Sequence, residues 1–291
     1  MRILVTGRNG QVARSIAERA GAAHELVFVD RPGFDLADPA SIARTVEQVR
    51  PDLVFSVAAY TAVDKAESES ELAMAVNGDG PGALARAAAG IGAPIVHLST
   101  DYVFDGAGDR PYREEDPVAP LGVYGETKLA GERAIAASGA RYAILRTAWV
   151  YSPFGNNFVK TMLRLAADRD ELRVVEDQRG CPTSALDIAD AMLRVADVWA
   201  SDPGKGADAV YHLVGSGETN WADFARAIMA LSAARGGPSA SVTGIPTSAY
   251  PTPARRPANS RLDTSRFAAT FGCRAPEWRD SLEPVVARLI A

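Results

Sequence analysis

The sequence predicts an α/β protein: a Rossmann-type, doubly wound parallel sheet with a smaller mixed α/β lobe after it. Three observations carry that expectation. Short apolar, β-branched-rich runs alternate with helix-period stretches through the first two-thirds of the 291 residues, and a glycine-rich loop joins the first run to the first helix. Past residue 150 the alternation gives way to chain punctuated by proline and glycine. Strands alternating with helices build right-handed βαβ units and a parallel sheet covered on both faces. Strands buried on both faces read as continuous apolar runs, as these do.

Taken in order, strands are expected at Ile3–Thr6, Leu26–Asp30, Leu53–Val57, Ile95–Ser99 and Ala143–Thr147. The stretches between them, Val12–Ala20, Ser41–Arg50, Ser70–Ala89 and Val123–Ala137, carry helical apolar spacing. Later come helices at Phe158–Ala167, Ala185–Ala196 and Trp221–Leu231 and short strands at Leu172–Val175 and Val210–Val214. A long loop, Ile245–Asn259, holds Pro246, Pro251, Pro253 and Pro257. The expected division is a dinucleotide-binding domain over 1–150, with segments near 180–215 returning to it, and a mainly substrate-binding lobe over 151–291.

Composition excludes several classes. Net charge is −5 and the pI near 5.4, which argues against a broad basic face for nucleic acid. No window approaches the ~18 apolar residues of a membrane span, and no secretory signal precedes the first strand. Cys181 and Cys273 lack ligand-like spacing and read as reduced thiols. A cytoplasmic protein acting on a small molecule is the expectation.

The first loop reads Thr6-Gly7-Arg8-Asn9-Gly10-Gln11-Val12-Ala13. Gly7 allows a tight turn, Gly10 lets the backbone approach a pyrophosphate, and Ala13 keeps the helix close to the sheet. The helix start adds free N–H groups and positive dipole. At the end of the second strand, Asp30 can bond the adenosine ribose and favour NADH, whereas Arg31 can pair with a 2′-phosphate and admit NADPH. The choice between NADPH and NADH stays open.

Tyr124-Gly125-Glu126-Thr127-Lys128 places a phenol and an ammonium four residues apart, on one helix face. A free phenol titrates near pH ~10, and a nearby lysine would lower that value and make Tyr124 a usable acid. Ser99-Thr100-Asp101-Tyr102-Val103-Phe104 closes the fourth strand, at the carboxyl end where open α/β sheets bind ligands. Thr100 can offer its hydroxyl to the carbonyl that Tyr124 protonates.

In this order, the three motifs resemble the extended short-chain dehydrogenase/reductase family. Within it, the chain is similar to the dTDP-4-dehydrorhamnose reductases through Ala58–Glu67, Ser99–Phe104, Val123–Gly131, Arg146–Tyr151 and Gly155–Phe158. The similarity continues through Asp177–Thr183, Pro246–Pro253 and Arg256–Leu262. It implies hydride transfer from NADPH or NADH to C4 of dTDP-4-dehydro-β-L-rhamnose, in dTDP-rhamnose biosynthesis for cell-surface polysaccharide. It also implies roles. Tyr124 donates the proton, Lys128 lowers its pKa and holds the nicotinamide ribose, and Thr100 bonds the carbonyl. Gly7, Gly10, Gln11 and Val12 line the pyrophosphate, and Asp30 and Arg31 the adenosine ribose. Asp35 and Leu36 flank the adenine, and Ala59, Tyr60 and Thr61 lie further along the dinucleotide. Asp101, Trp149 and Asn157 meet the sugar. Guanidinium also suits phosphate bidentately, so one of Arg255, Arg256 and Arg261 is expected to clamp the diphosphate; Arg256 is the candidate taken, and the choice among the three stays open.

Two positions depart from the pattern: Ala13 replaces the commoner third glycine, and Tyr60 stands where histidine is frequent. His24, His97 and His212 have no catalytic or ligand spacing and read as structural. Asn77 reads either as a structural amide or as a support for the site. Glu114-Glu115-Asp116 reads as a solvated loop; the resemblance allows Mg²⁺ at a homodimer contact, but no residue is assigned to it. The alternatives are a non-catalytic dinucleotide-binding regulatory subunit, and another nucleotide-sugar reductase or an epimerase.

Overall fold

The computed structural model describes residues 1–291. The first five strands are β1 (Arg2–Thr6), β2 (Glu25–Val29), β3 (Leu53–Ser56), β4 (Ile95–Thr100) and β5 (Tyr142–Thr147). After them come β6 (Val150–Tyr151), β7 (Glu171–Val175), β8 (Arg179–Gly180) and β9 (Thr183–Ser184). The last are β10 (Ala209–His212), β11 (Thr219–Asn220), β12 (Ser241–Ile245) and β13 (Asn259–Ser260). Helices α1 (Gln11–Arg19), α2 (Pro39–Val49), α3 (Val63–Ala66), α4 (Ser70–Met74), α5 (Gly80–Gly90) and α6 (Val123–Ala136) interleave with the early strands. The later ones are α7 (Phe158–Ala166), α8 (Ala185–Ser201), α9 (Trp221–Ala233), α10 (Ser265–Phe271) and α11 (Trp278–Ile290).

The central sheet is six-stranded and parallel, in the order β2-β1-β3-β4-β5-β10. Winding reverses between β1 and β3, and ligands of open α/β sheets bind outside the carboxyl ends of the strands at such a point. Thr6 ties the two strand ends together there, its Oγ1 accepting from the N–H groups of Val57 and Ala58 at 3.0 Å each. One face carries α1 and α8, packed on each other over a core that includes Ile3, Val5, Ile16, Val96, Ile188 and Trp199. The other carries α2, α5 and α6 over Leu4, Ile42, Val54, Leu84, Ile95 and Ile144. Thus α8 and β10, though late in sequence, belong to the layers of the central sheet. A third core, with Tyr151, Met162, Phe224, Trp278 and Leu282, lies among α7, α9 and α11 beside the two-stranded sheet β7–β12.

The helical stretch after β3 differs from the single run expected at 70–89. It is helical throughout, but residues Ala75–Asp79 widen into a π turn between α4 and α5. That turn carries the fully buried Asn77, whose amide is engaged outside the helix. A π turn inside an α-helix often marks a functional position. Helices α10 and α11 and strand β12 lie in segments for which the sequence patterns predicted nothing.

Candidate active site

The glycine loop has the geometry of a phosphate cradle. Gly7 sits at φ +82°, and a Cβ there would come 2.9 Å from the Cβ of Ala58. Any larger residue would be both strained and in collision. Gly10 caps α1 without a side-chain hydrogen bond, leaving the first N–H groups of the helix facing outward. Beside the loop lies a cavity of about 500 Å³ lined by Arg8, Asn9, Asp30, Arg31, Phe34 and Gln48 among others. Asp30 accepts from Asn9 Nδ2 at 3.2 Å and from the Arg31 N–H at 2.9 Å, while Arg31 is exposed at the rim. These residues fit the adenosine end of a dinucleotide, and Arg8 joins Arg31 as a second basic side chain available to a 2′-phosphate. Sequence reasoning missed Arg8, although it lies inside the glycine motif. Asp35 sits in its own turn, accepting from the N–H of Ala37, and the buried Leu36 backs onto Gly80.

Gln11 and Asn157 meet, which the sequence did not suggest. Gln11 Oε1 accepts from Ser152 Oγ at 2.8 Å and from Asn157 Nδ2 at 3.0 Å. Asn157 also caps α7, its Oδ1 accepting from the Lys160 N–H. Its amide is therefore committed to the fold, and Gln11 has its backbone N–H left to offer an anion. After β3, Ala59, Tyr60 and Thr61 follow the end of the strand. Asn77 grips Tyr60 from both sides: Oδ1 accepts from the Tyr60 N–H at 2.8 Å, and Nδ2 donates to the Tyr60 carbonyl at 3.0 Å and to Thr127 Oγ1 at 3.3 Å. Asn77 thereby joins the loop after β3 to α6, and the Tyr60 phenol turns away to Glu69.

Thr100 ends β4 and Tyr124 lies in the first turn of α6; the Thr100 Oγ1 donates to Asp101 Oδ1 at 3.1 Å and accepts from the Tyr102 N–H at 3.2 Å. Tyr102 packs edge-on against Tyr124, ring centroids 5.4 Å apart. Burial raises the Tyr124 pKa well above the ordinary phenol value, and the charge of Asp101 adds to this, while Thr100 pulls the other way. Lys128 is not among the groups that shift it. Lys128 is buried one helical turn on, with its ammonium directed to the Leu98 carbonyl at 2.7 Å and His97 Nε2 at 3.0 Å. Sharing a helix face did not make the two side chains meet. Burial brings the Lys128 pKa down to about 8, opposed by the charge of Glu132.

Asp101 is buried with Oδ2 unpartnered. Burial pushes its carboxyl up to about 6, opposed by the nearby hydroxyls of Ser260 and Thr100, the latter donating to Oδ1 at 3.1 Å. Trp149 holds a left-handed backbone, φ +50°, a strained conformation for a bulky residue. It stacks on Trp221, centroids 3.6 Å apart, and a Cβ on Gly180 would lie 2.4 Å from its ring.

Of the three arginines, Arg261 is buried and spent on Asn259, Glu218 and the Asp109 carbonyl. Arg255 is exposed. Arg256 bonds Asp64 at 2.7 Å and keeps a buried Nη1 without a partner. The acidic run is tied down: Glu114 accepts from the His212 N–H, and Asp116 pairs with both terminal nitrogens of Arg110 at 2.8 Å. No group of three or more His, Cys, Asp or Glu is placed to hold a metal ion. No helix is long and apolar enough to cross a membrane.

A switch-point phosphate cradle beside a Thr–Tyr–Lys set on adjoining elements defines an oxidoreductase of the short-chain dehydrogenase/reductase class. More narrowly, the chain belongs to the family described as RmlD substrate binding domain, whose profile matches residues 1–290. It is 50% identical over 290 residues to a dTDP-4-dehydrorhamnose reductase of Sinorhizobium fredii, covering 100% of this chain and 98% of that one. Among solved structures, a dTDP-4-dehydrorhamnose reductase from Clostridium acetobutylicum superposes with a TM-score of 0.92 at 40% identity, over 99% of both chains. The Bacillus anthracis enzyme in complex with NADP gives 0.90 at 31% identity, over 98% of both.

Proposed function

We propose that the protein reduces the C4 ketone of dTDP-4-dehydro-β-L-rhamnose to dTDP-β-L-rhamnose with a nicotinamide cofactor, in the cytoplasm. The observation that carries this reading is the convergence of Thr100 and Tyr124 at the carboxyl end of β4, next to the cradle at Gly7–Val12. The bound nicotinamide supplies the hydride. Thr100 hydrogen-bonds the ketone oxygen, and Tyr124 donates the phenolic proton to that oxygen as charge develops on it. Because burial keeps the Tyr124 pKa high, the phenol stays protonated throughout the neutral range. Acid catalysis of this kind contributes roughly 10²–10⁴-fold. Lys128 supplies a buried positive charge beneath the site. Trp149, set by Trp221, covers the sugar, and Asp101 accepts from its hydroxyls. The Arg256 guanidinium, held by Asp64 and partly exposed, takes the diphosphate. Arg8 and Arg31 flank Asp30, so NADPH is the favoured cofactor and NADH is admitted. The whole Thr100, Tyr124 and Lys128 set favours an enzyme over a regulatory subunit, which needs no proton donor.

The test is oxidation of NADPH and NADH by purified protein with the keto sugar, alongside Tyr124→Phe. Stoichiometric cofactor loss matched by dTDP-rhamnose, and a drop of about 10²-fold or more in the variant with cofactor binding retained, is expected. Full activity in Tyr124→Phe removes it as the acid, and catalytic rather than stoichiometric cofactor use favours an epimerase.

A further inference from the structure

Resting on the reduction proposed above, we propose that His97 is a positioning residue: its neutral imidazole holds the Lys128 ammonium in place from the strand beneath.

Lys128 has three N–H donors. One goes to Leu98 O and a second to His97 Nε2, which leaves the third for the ligand side. Nε2 can accept only if the ring proton sits on Nδ1, and Nδ1 lies 3.0 Å from Ser56 Oγ, an acceptor for that proton. The ammonium, which only donates, thus sets the tautomer of His97 on β4, and Ser56 on β3 takes up the Nδ1 proton that this tautomer carries. All three side chains are buried, and burial together with Lys128 keeps the imidazole well below its ordinary pKa and neutral.

The spacing is regular. Two residues along a strand advance about 6.6 Å and four along a helix about 6 Å, so positions 97 and 99 of β4 come opposite 128 and 132 of α6. Ser99 donates to Glu132 Oε1 at 2.5 Å just as His97 accepts from Lys128. Strand β4 therefore fixes both buried ionic side chains of α6, Lys128 and Glu132. An aliphatic residue at 97 would pack as well but would leave the ammonium short of an acceptor.

Other charged groups around Lys128 are accounted for. Glu132 on the same helix is held by Arg146 of β5 and by Ser99. Asp101 and Tyr102, from the turn after β4, act on Tyr124. Asp64 on α3 is paired with Arg256, and Lys65, Glu71, Asp79 and Arg86 on the helices packed against α6 are exposed.

The experiment measures the pH dependence of kcat and of NADPH binding in the wild type, His97→Leu, His97→Gln and Ser56→Ala. In His97→Leu the alkaline limb should move down by about one pH unit, as expected for losing a bond to a charged group. Its kcat at pH 8.5 should fall about tenfold with KM for the sugar nearly unchanged. His97→Gln, whose Oε1 can stand in for Nε2, should restore the limb, and Ser56→Ala should show a smaller shift in the same direction. A folded His97→Leu with the wild-type limb overturns the proposal, as does a glutamine variant as impaired as leucine. If His97→Leu does not fold, an unmoved limb in Ser56→Ala overturns it. A wild type that binds NADPH but turns over no sugar sinks the reaction instead, and the binding profile then decides His97.

Discussion

Lys128 offers a prediction in which the sign and size follow from burial. Its side chain is 2% exposed, and its pKa falls from 10.5 to about 8 because the ammonium has left water. Below about pH 8 the lysine is charged in both folded and unfolded chains. Between about 8 and 10.5 the folded chain has lost the proton and the unfolded chain still binds it, so stability gains with rising pH. The contribution is present above the unfolded value and is lost as pH falls through the folded one. Two and a half units at 1.36 kcal/mol each come to about 3 kcal/mol. Lys128→Met removes the titration and leaves other groups to cancel in the difference. Hydrogen bonds lost with the amine add an offset that does not depend on pH in this window. Urea unfolding of both proteins from pH 7.5 to 10.5, at constant ionic strength, gives the two stabilities. The wild type should gain on the variant by about 3 kcal/mol across that range, with a slope of at most about 1.4 kcal/mol per unit. A flat difference, or one in which the variant gains, refutes the burial argument.

Asp101, raised to about 6 by burial, should give kcat/KM for the sugar an inflection near that pH, rising as the carboxyl ionises; Asp101→Asn should lack it, and an inflection that survives assigns it elsewhere. Arg256→Gln should raise KM for the nucleotide sugar about tenfold with NADPH affinity unchanged, because a charge-assisted bond to phosphate is lost. Equal losses of both affinities in a titration would contradict the assignment. Gly125→Ala would place a Cβ 2.2 Å from the Tyr102 carbonyl, so α6 must shift with Tyr124 on it. The cost should be at least about 1–3 kcal/mol in thermal unfolding, with kcat reduced, and an unaffected melt would show that the helix can move freely.

Much of the sheet was legible because its strands are buried on both faces and carry no polar alternation. The Gly7 turn was legible for a similar reason, since φ +82° beside Ala58 admits little else. Lys128 was read onto the right helix but in the wrong direction. A helix-face argument fixes where a side chain starts, and a four-carbon stem then goes to the nearest unsatisfied acceptors, which lay on β4. The signal that could have found them is His97, a polar residue among apolar ones in Ile95-Val96-His97-Leu98. Asn157 stands directly before Phe158 at the start of a helix, where an asparagine caps, and the cap was the better reading of its local sequence. Other pairs had no local signal. Arg256 and Asp64 are 192 residues apart, and Gln11 and Asn157 are 146 apart.

Those long-range pairs have a common consequence. The Gln11–Ser152–Asn157 cluster joins the first turn of α1 to the start of α7, and Arg256–Asp64 joins the proline-rich loop to α3 just past the dinucleotide segment. Each ties a segment expected to meet the sugar nucleotide to one expected to meet the cofactor. A change that loosens either pair therefore acts on both ligands, through the placement of one lobe against the other. That is why Arg256→Gln is the sharper substitution: it keeps a hydrogen-bonding partner for Asp64 while removing the charge offered to phosphate. Arg256→Ala removes both, and a loss of NADPH affinity confined to the alanine variant would separate the strut from the anion site.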